Sequence, residues 1–235
     1  MAVKTKNWSI FIIAFLVFVM WQLPALGIFR YPFILLGTWF HEMGHGLTAI
    51  ALGGNFSHLE IYENGGGVAF TSLPQNGYVP YRVARALVAA GGLLGPSVFG
   101  AVLIVASAKA NWTTWVLRGI IILLVASILI WVRSLIGSVV LVLIAVLLII
   151  LSVAKNKSIS KWTLLFLGIQ CTLSTYLQLN YLFTGTFERF GQTMTSDTQV
   201  IANNLFGLYW MWAVVIILIS TYLLWKSYAF YLKKN

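Results

Sequence analysis

The sequence predicts an all-α polytopic membrane protein of about six to seven transmembrane helices, with a small β-hairpin between the second and third helices. Three observations carry this. Of 235 residues, 60% are hydrophobic and 9% charged, and the mean hydropathy of +0.91 lies far from that of a water-soluble domain. Apolar runs of about twenty residues, long enough to cross a ~30 Å hydrocarbon core as helix, recur with short polar breaks. The longest stretch that is neither apolar nor helix-like, GGNFSHLEIYENGGGVAFTSLPQNGYVP, follows the second run.

By the length criterion the spans fall at 8–28, 32–52, 82–108, 112–131, 135–154, 161–183 and 203–226. The first follows Lys4 and Lys6 in the manner of a signal-peptide n-region. Its apolar stretch exceeds ~15 residues and no small-x-small cleavage site ends it, so it reads as an uncleaved helix. Between the fourth and fifth spans Arg133 and Ser134 leave almost no loop, which predicts that one of the two is tilted, kinked or incomplete. The third contains AAGGLLGPSVFG, where Gly91 and Gly95 form a G-x-x-x-G pair ahead of Pro96; small residues at that spacing let helix backbones approach closely.

The whole chain, 1–235, reads as one integral membrane domain with an insertion at 53–74. In that insertion two β-prone runs, 59–62 and 68–72, flank Glu63-Asn64-Gly65-Gly66-Gly67, where glycine permits the positive φ of a tight turn. The resulting hairpin offers an edge to which an extended peptide could add as a strand; an ordinary turn between helices is the alternative.

The net charge of +10 is spread over both termini and most loops instead of forming one stripe, which argues against nucleic acid and for anionic lipid headgroups as its counterpart. Arg82, Arg85, Arg133 and Arg189 alternate with Lys155, Lys157, Lys161, Lys233 and Lys234 along the predicted spans, without the excess that would fix an orientation. The sole cysteine, Cys171, lies within a predicted span, so neither an intramolecular disulfide nor a C-x-x-C motif is available.

The second span carries GTWFHEMGHGLTAIALGG, in which His41, Glu42 and His45 spell H-E-x-x-H. Residues four apart lie on one helix face, so both imidazoles can point at one ion, while Glu42 is offset by about 100° and can reach a water bound to it. Zinc in such a site lowers the pKa of its water towards ~7, and the carboxylate carries the proton from water to leaving amine. With three histidines in the chain, chance would produce this pattern roughly a few times in ten thousand. An ionisable group near a helix centre also costs about 2.5–3.5 kcal/mol on insertion scales, so Glu42 requires a polar surrounding. Thr38, His41, His45 and Thr48 share one face, a polar stripe that must border a watery cavity if it is to hydrolyse anything.

A catalytic zinc takes about three protein ligands, and the acid inventory leaves few candidates for the third. Asp197 is the chain's only aspartate and precedes the last span, where Asn203 and Asn204 could extend a polar surface; His58 and Glu188 are the other candidates. Asp197 would alternatively serve as the N-cap of the final helix. If that helix runs unbroken from position 198, Asp197 stands near a membrane face while His41, nine residues beyond Pro32 and about 14 Å along the axis, stands deeper.

These features together resemble the site-2 protease family of intramembrane zinc metalloproteases, in particular its small bacterial branch. HEMGH (His41 to His45) in an apolar helix, the following ALGG and glycine-rich hairpin, LLGP (Leu93 to Pro96) and the late Asp197 carry the resemblance. It implies one Zn2+ ion held by His41, His45 and Asp197, with Glu42 as general base. It further implies a membrane-protein substrate cleaved in or near a single-pass transmembrane segment, and a multi-pass location in a bacterial cell membrane. Two positions depart from the larger branches: Phe99 stands where they commonly carry Asn, and the aspartate sits in Ser196-Asp197-Thr198 in place of Leu-Asp-Gly. A transporter or channel with a buried His/Glu pathway, and a zinc-binding scaffold without turnover, are the competing readings.

Overall fold

A backbone inside hydrocarbon must satisfy its own hydrogen bonds, so the apolar runs fold as helices. The computed structural model describes residues 8–23, 26–154, 157–189 and 191–234; Lys4, Lys6 and Lys155 lie outside the described residues. The long helices are α1 (Trp8–Gln22), α2 (Gly27–Ala51), α3 (Tyr81–Ser107), α4 (Ala110–Ile130), α5 (Leu135–Val153) and α6 (Lys157–Leu177), closed by α9 (Tyr209–Lys234) after two short helices, α7 (Leu179–Leu182) and α8 (Asp197–Asn204). The predicted class, a polytopic helical protein with a small hairpin, is the one observed. Among the described residues α3, α4, α5 and α9 are long and apolar enough to cross a membrane, and a fifth span results if α1 and α2, bent by 108° at their junction, count as one. That is fewer than the six to seven expected. The difference lies in α1, which is only 15 residues long, and in α2 and α6, whose buried faces carry Thr38, His41 and Glu42 in one helix and Gln170, Thr172, Ser174 and Thr175 in the other.

Helix α3 is central, with α2, α6, α8 and α9 packed around it. It meets α2 backbone to backbone, as the G-x-x-x-G spacing predicts: a Cβ on Gly44 would fall 2.3 Å from the Gly91 carbonyl oxygen, and one on Gly95 would fall 2.7 Å from that of Phe40. On the other side of α2 the fully buried Trp39, Phe40 and Met43 join Leu59, Ile61, Leu117, Leu124 and Leu141 in the main core. The Trp39 indole donates to Ser127 Oγ at 2.8 Å, which satisfies its one polar atom inside that core.

The predicted hairpin is present as β1 (Asn55–Ile61) and β2 (Gly67–Ser72), antiparallel, with a bulge between Phe56 and His58. Its first strand begins four residues earlier than the β-prone run at 59–62, because Asn55, Phe56 and His58 pair with Ser72, Thr71 and Phe70 of β2, while its outer edge is covered from elsewhere in the chain. Leu59 donates its N–H to the Trp131 carbonyl at 2.8 Å and accepts from the Arg133 N–H at 2.9 Å, and the Ile61 N–H donates to Ser134 Oγ at 2.9 Å. The brief connection between α4 and α5 is thus a strand-like segment that seals the outer edge of β1. The turn of the hairpin depends on Gly65, whose φ of +87° suits a residue without Cβ.

Two features were not expected. A second antiparallel hairpin, β3 (Thr186–Arg189) and β4 (Gln192–Thr195), follows α7. The expected last span is preceded by a separate helix: α8 ends at Asn204, and Gly207, with φ +78°, turns the chain before α9 begins. These two features position the late aspartate.

Candidate metal centre

His41, Glu42 and His45 stand midway along α2, with Glu42 only 4% exposed. The four-residue spacing turns both imidazoles to one side, with their Nε2 atoms 3.1 Å apart and their rings edge to face. Asp197 approaches from the first turn of α8, its Oδ2 lying 3.1 Å from His41 Nε2 and 3.4 Å from His45 Nε2. Donor atoms of His41, Glu42 and His45 also lie within 4.8 Å of one another, so two overlapping sets of three are possible. The His–His–Asp set is the tighter. It leaves the Glu42 carboxylate beside Gly67, where a Cβ would fall 2.7 Å from Oε1.

The unbroken last helix that kept Asp197 apart from His41 is not observed: α8 is separate from α9 and packs against the first half of α3, beside the histidines. Capping is done by the neighbouring residue: Ser196 Oγ accepts the Gln199 N–H at 3.3 Å, so the Asp197 carboxylate is left to face the histidines. Thr198 Oγ1 donates to the Leu182 carbonyl at 3.0 Å and fixes α8 to α7. His58 and Glu188 point elsewhere. The His58 ring stacks on Phe70 at 4.1 Å, and Glu188 accepts from Thr193 Oγ1 at 2.7 Å. Asn203 and Asn204 do not line the cluster; Asn203 Oδ1 accepts from Gln199, and Asn204 Nδ2 donates to the Val200 carbonyl.

The donor set fits a cation. His45 Nδ1 lies 2.9 Å from the Val88 carbonyl, which can only accept, so the proton of a neutral ring belongs on Nδ1 and Nε2 presents a lone pair. That lone pair, the His41 Nε2 and a carboxylate oxygen converge, an arrangement that repels itself unless positive charge lies between them. For ligands ~2.0–2.1 Å from a tetrahedral zinc the ligand-to-ligand edges are about 3.3 Å, and the three separations here are 3.1, 3.1 and 3.4 Å. A carbonyl holding the far nitrogen of a ligating histidine is the usual outer support of such a site.

Further residues complete the surroundings, of which the sequence had pointed to Thr38, in its polar stripe, but not to the part played by Tyr181, Gly92 or Arg189. The Tyr181 hydroxyl donates to Asp197 Oδ2 at 3.0 Å and accepts the Asp197 N–H at 3.3 Å, which fixes the carboxylate from behind. Gly92 makes room for the His45 ring, since a Cβ there would fall 2.2 Å from Cε1 and Nε2. From β3, Arg189 Nη1 donates to the Gly67 carbonyl at 2.9 Å, and its guanidinium lies 5.4 Å from the Tyr62 ring and 5.3 Å from that of Phe187. Thr38 Oγ1 donates to the Gly65 carbonyl and ties the hairpin turn to α2. The cluster opens into a cavity of about 1040 Å³ lined by Thr38, Ala69, Arg85, Tyr181 and Val200 among others.

A helical membrane protein with H-E-x-x-H on a buried helix face beside a polar cavity has the form of a membrane-embedded metallopeptidase. Comparison with protein families agrees: the model for Peptidase M50B-like proteins matches residues 9–227, and the chain belongs to that family. No curated protein and no solved structure matches it. Membership implies a metallopeptidase, and with the apolar helices it indicates a multi-pass membrane protein.

Proposed function

We propose that this chain is an intramembrane zinc metalloprotease that hydrolyses peptide bonds within or near transmembrane segments of other membrane proteins. The observation that carries the reading is the convergence of His41, His45 and Asp197 on one point beside the Glu42 carboxylate, inside a cavity walled by helices and by both hairpins. His41, His45 and Asp197 would hold the ion, which supplies Lewis acidity toward water and the scissile carbonyl. Glu42 takes the proton of the attacking water and delivers it to the leaving amine. Tyr181 keeps Asp197 Oδ2 in place.

Purified protein is expected to contain one zinc per chain, to cleave a single-pass substrate, and to lose cleavage on chelation and regain it with zinc. Asp197→Asn should lower zinc affinity by at least about 100-fold, since it removes a direct charged ligand, while His58→Ala and Glu188→Gln leave it unchanged. Zinc affinity unaltered in the Asp197 variant, with loss in either of the others, would reassign the third ligand.

A transmembrane helix hides its amides in internal hydrogen bonds, so a substrate must unwind before a carbonyl can be attacked. The hairpin supports a way of holding the unwound piece. Tyr62 N–H bonds to the Gly66 carbonyl at 2.8 Å, so in the alternating antiparallel pattern Gly67 and Ala69 turn their amides outward, toward the cavity. An extended substrate segment pairs there as a further strand. Ala69→Pro removes the outward N–H without touching the β1–β2 ladder, and should reduce cleavage about 5- to 10-fold at unchanged zinc content, the effect of one lost hydrogen bond. Full activity in that variant would exclude the pairing.

A further inference from the structure

Among the residues that line the cavity, Arg85 and Arg189 are basic and Glu42 and Asp197 acidic. On the reading proposed above both carboxylates are committed, Asp197 to the ion and Glu42 to the attacking water. A divalent ion offsets their charge, so the two guanidinium groups leave the cavity positive.

The two arginines are not equivalent. Arg189 is held in place by the Gly67 carbonyl and by the rings of Tyr62 and Phe187. Elsewhere in the chain Arg30, Arg82 and Arg133 also donate to backbone carbonyls, and Arg118 lies 5.7 Å from the Trp115 ring centre. Arg85 is exposed to the cavity and, among the described residues, has no hydrogen-bond, ion-pair or ring partner. Its donors are free for a visitor.

Its place on α3 says where that visitor would be met. Tyr81, Arg85, Val88 and Ala89 follow one another at spacings that share one helix face, and all four line the cavity. Val88 is the residue whose carbonyl holds His45 Nδ1 at 2.9 Å, so this face runs directly from the metal centre to Arg85. Three residues of helix rise ~4.5 Å, and a helical side chain covers the turn before its own Cα, which puts the guanidinium roughly 10 Å from the ligands. In an extended segment that is about three residues at ~3.3 Å each. Gly67, Ala69 and Thr71 of β2 line the same cavity, so a segment paired along that strand occupies space that Arg85 borders.

We propose that Arg85 is a specificity-determining residue that selects substrates carrying an aspartate or glutamate about two to four residues from the scissile bond. The inference rests on the protease reading and names the segments that such an enzyme accepts. The substrate carboxylate accepts two parallel N–H bonds from the guanidinium, a pairing that a lysine or an amide in the substrate cannot reproduce. A carboxylate is costly inside a membrane helix, so the preferred segments lie near the end of a span or are already open to cavity water.

The test uses the full chain in phosphatidylcholine vesicles and a single-pass substrate whose cleaved bond is mapped by mass spectrometry. Asp, Asn and Lys are placed in turn at each of the four positions on either side of that bond. At one position wild-type protein should favour Asp over Asn in kcat/KM by about 10-fold, and Lys should be the poorest. Arg85→Gln should flatten the Asp/Asn ratio, and Arg85→Glu should reverse the order so that Lys is cut faster than Asp. A purely structural role for Arg85 would lower all three rates together and keep the ratios, and that result overturns the inference. If Arg85→Glu fails to hold zinc, Arg85→Gln decides: a ratio unchanged from wild type overturns it, a flattened one supports it. Wild-type cleavage that is indifferent to charge at every position also overturns it, while leaving the protease reading intact. Wild-type protein that cleaves no member of the panel overturns that reading and this inference with it. An effect of Arg85→Gln that appears only when phosphatidylglycerol is added, and is equal for all substrates, assigns the arginine to lipid headgroups and overturns the selection.

Discussion

Glu42→Gln is expected to abolish cleavage of a membrane substrate, by about 10²- to 10⁴-fold, while zinc binding is retained. The amide matches the carboxylate in size and sits in the same space against Gly67, so neither the packing of α2 nor the His41, His45 and Asp197 arrangement should change. What disappears is a group able to accept the proton of water. The measurement is a comparison of turnover and metal content in detergent, and it separates the three readings of the motif. A transporter that does not use Glu42 as a relay would move its cargo in both forms and cleave nothing. A zinc-binding scaffold would bind metal in both and cleave in neither. Equal cleavage in wild type and variant would remove Glu42 from the chemistry and with it the assignment of H-E-x-x-H as a catalytic motif.

Gly44→Ala is expected to destabilise the protein by about 1–3 kcal/mol and to weaken zinc binding with it. The added methyl would stand 2.3 Å from the Gly91 carbonyl oxygen, 3.0 Å from its carbon and 3.1 Å from Gly92 Cα, all backbone atoms of α3. No side chain can rotate to relieve this, so α2 and α3 must separate, and α8, which packs on α3, carries Asp197 away from the histidines on α2. Gly119→Ala provides the reference, since a Cβ there meets nothing within 4 Å. Thermal unfolding in detergent, with zinc content measured alongside, checks both parts. A Gly44 variant that unfolds at the same temperature as the Gly119 variant would show that the helix contact tolerates an expansion the backbone distances forbid.

The parts of the protein that could be read from sequence are those whose physics is local. Two histidines four apart share a helix face wherever the helix goes, and Glu42 between them follows. Gly91 and Gly95 announce a close helix contact, although not that α2 is the partner or that the intervening Gly92 clears the His45 ring. The glycine run from 65 to 67 marks a turn, but not that β1 starts at Asn55, opposite Ser72, nor that Trp131 and Arg133, some seventy residues away in the chain, cover its outer edge. Asp197 could be nominated by elimination and not placed, because its position depends on the break between α8 and α9, with Gly207 at positive φ, inside what reads as one apolar run. The second hairpin had a signal that went unused: Thr186 to Thr195 alternates around Gly191, which sits at φ +74°. Tyr181 had none, since a lone tyrosine near the end of an expected span, placed by the structure in α7, says nothing until the aspartate beside it is known.

The segment at 131–133 has an implication for how many chains can engage the hairpin at once. By occupying the far side of β1 it leaves the small sheet one edge open to a visiting strand, that of β2, where Arg189 already holds the Gly67 carbonyl. The hairpin can therefore bind one guest strand directly and from one direction only, a useful restraint for a protein that handles unwound hydrophobic segments.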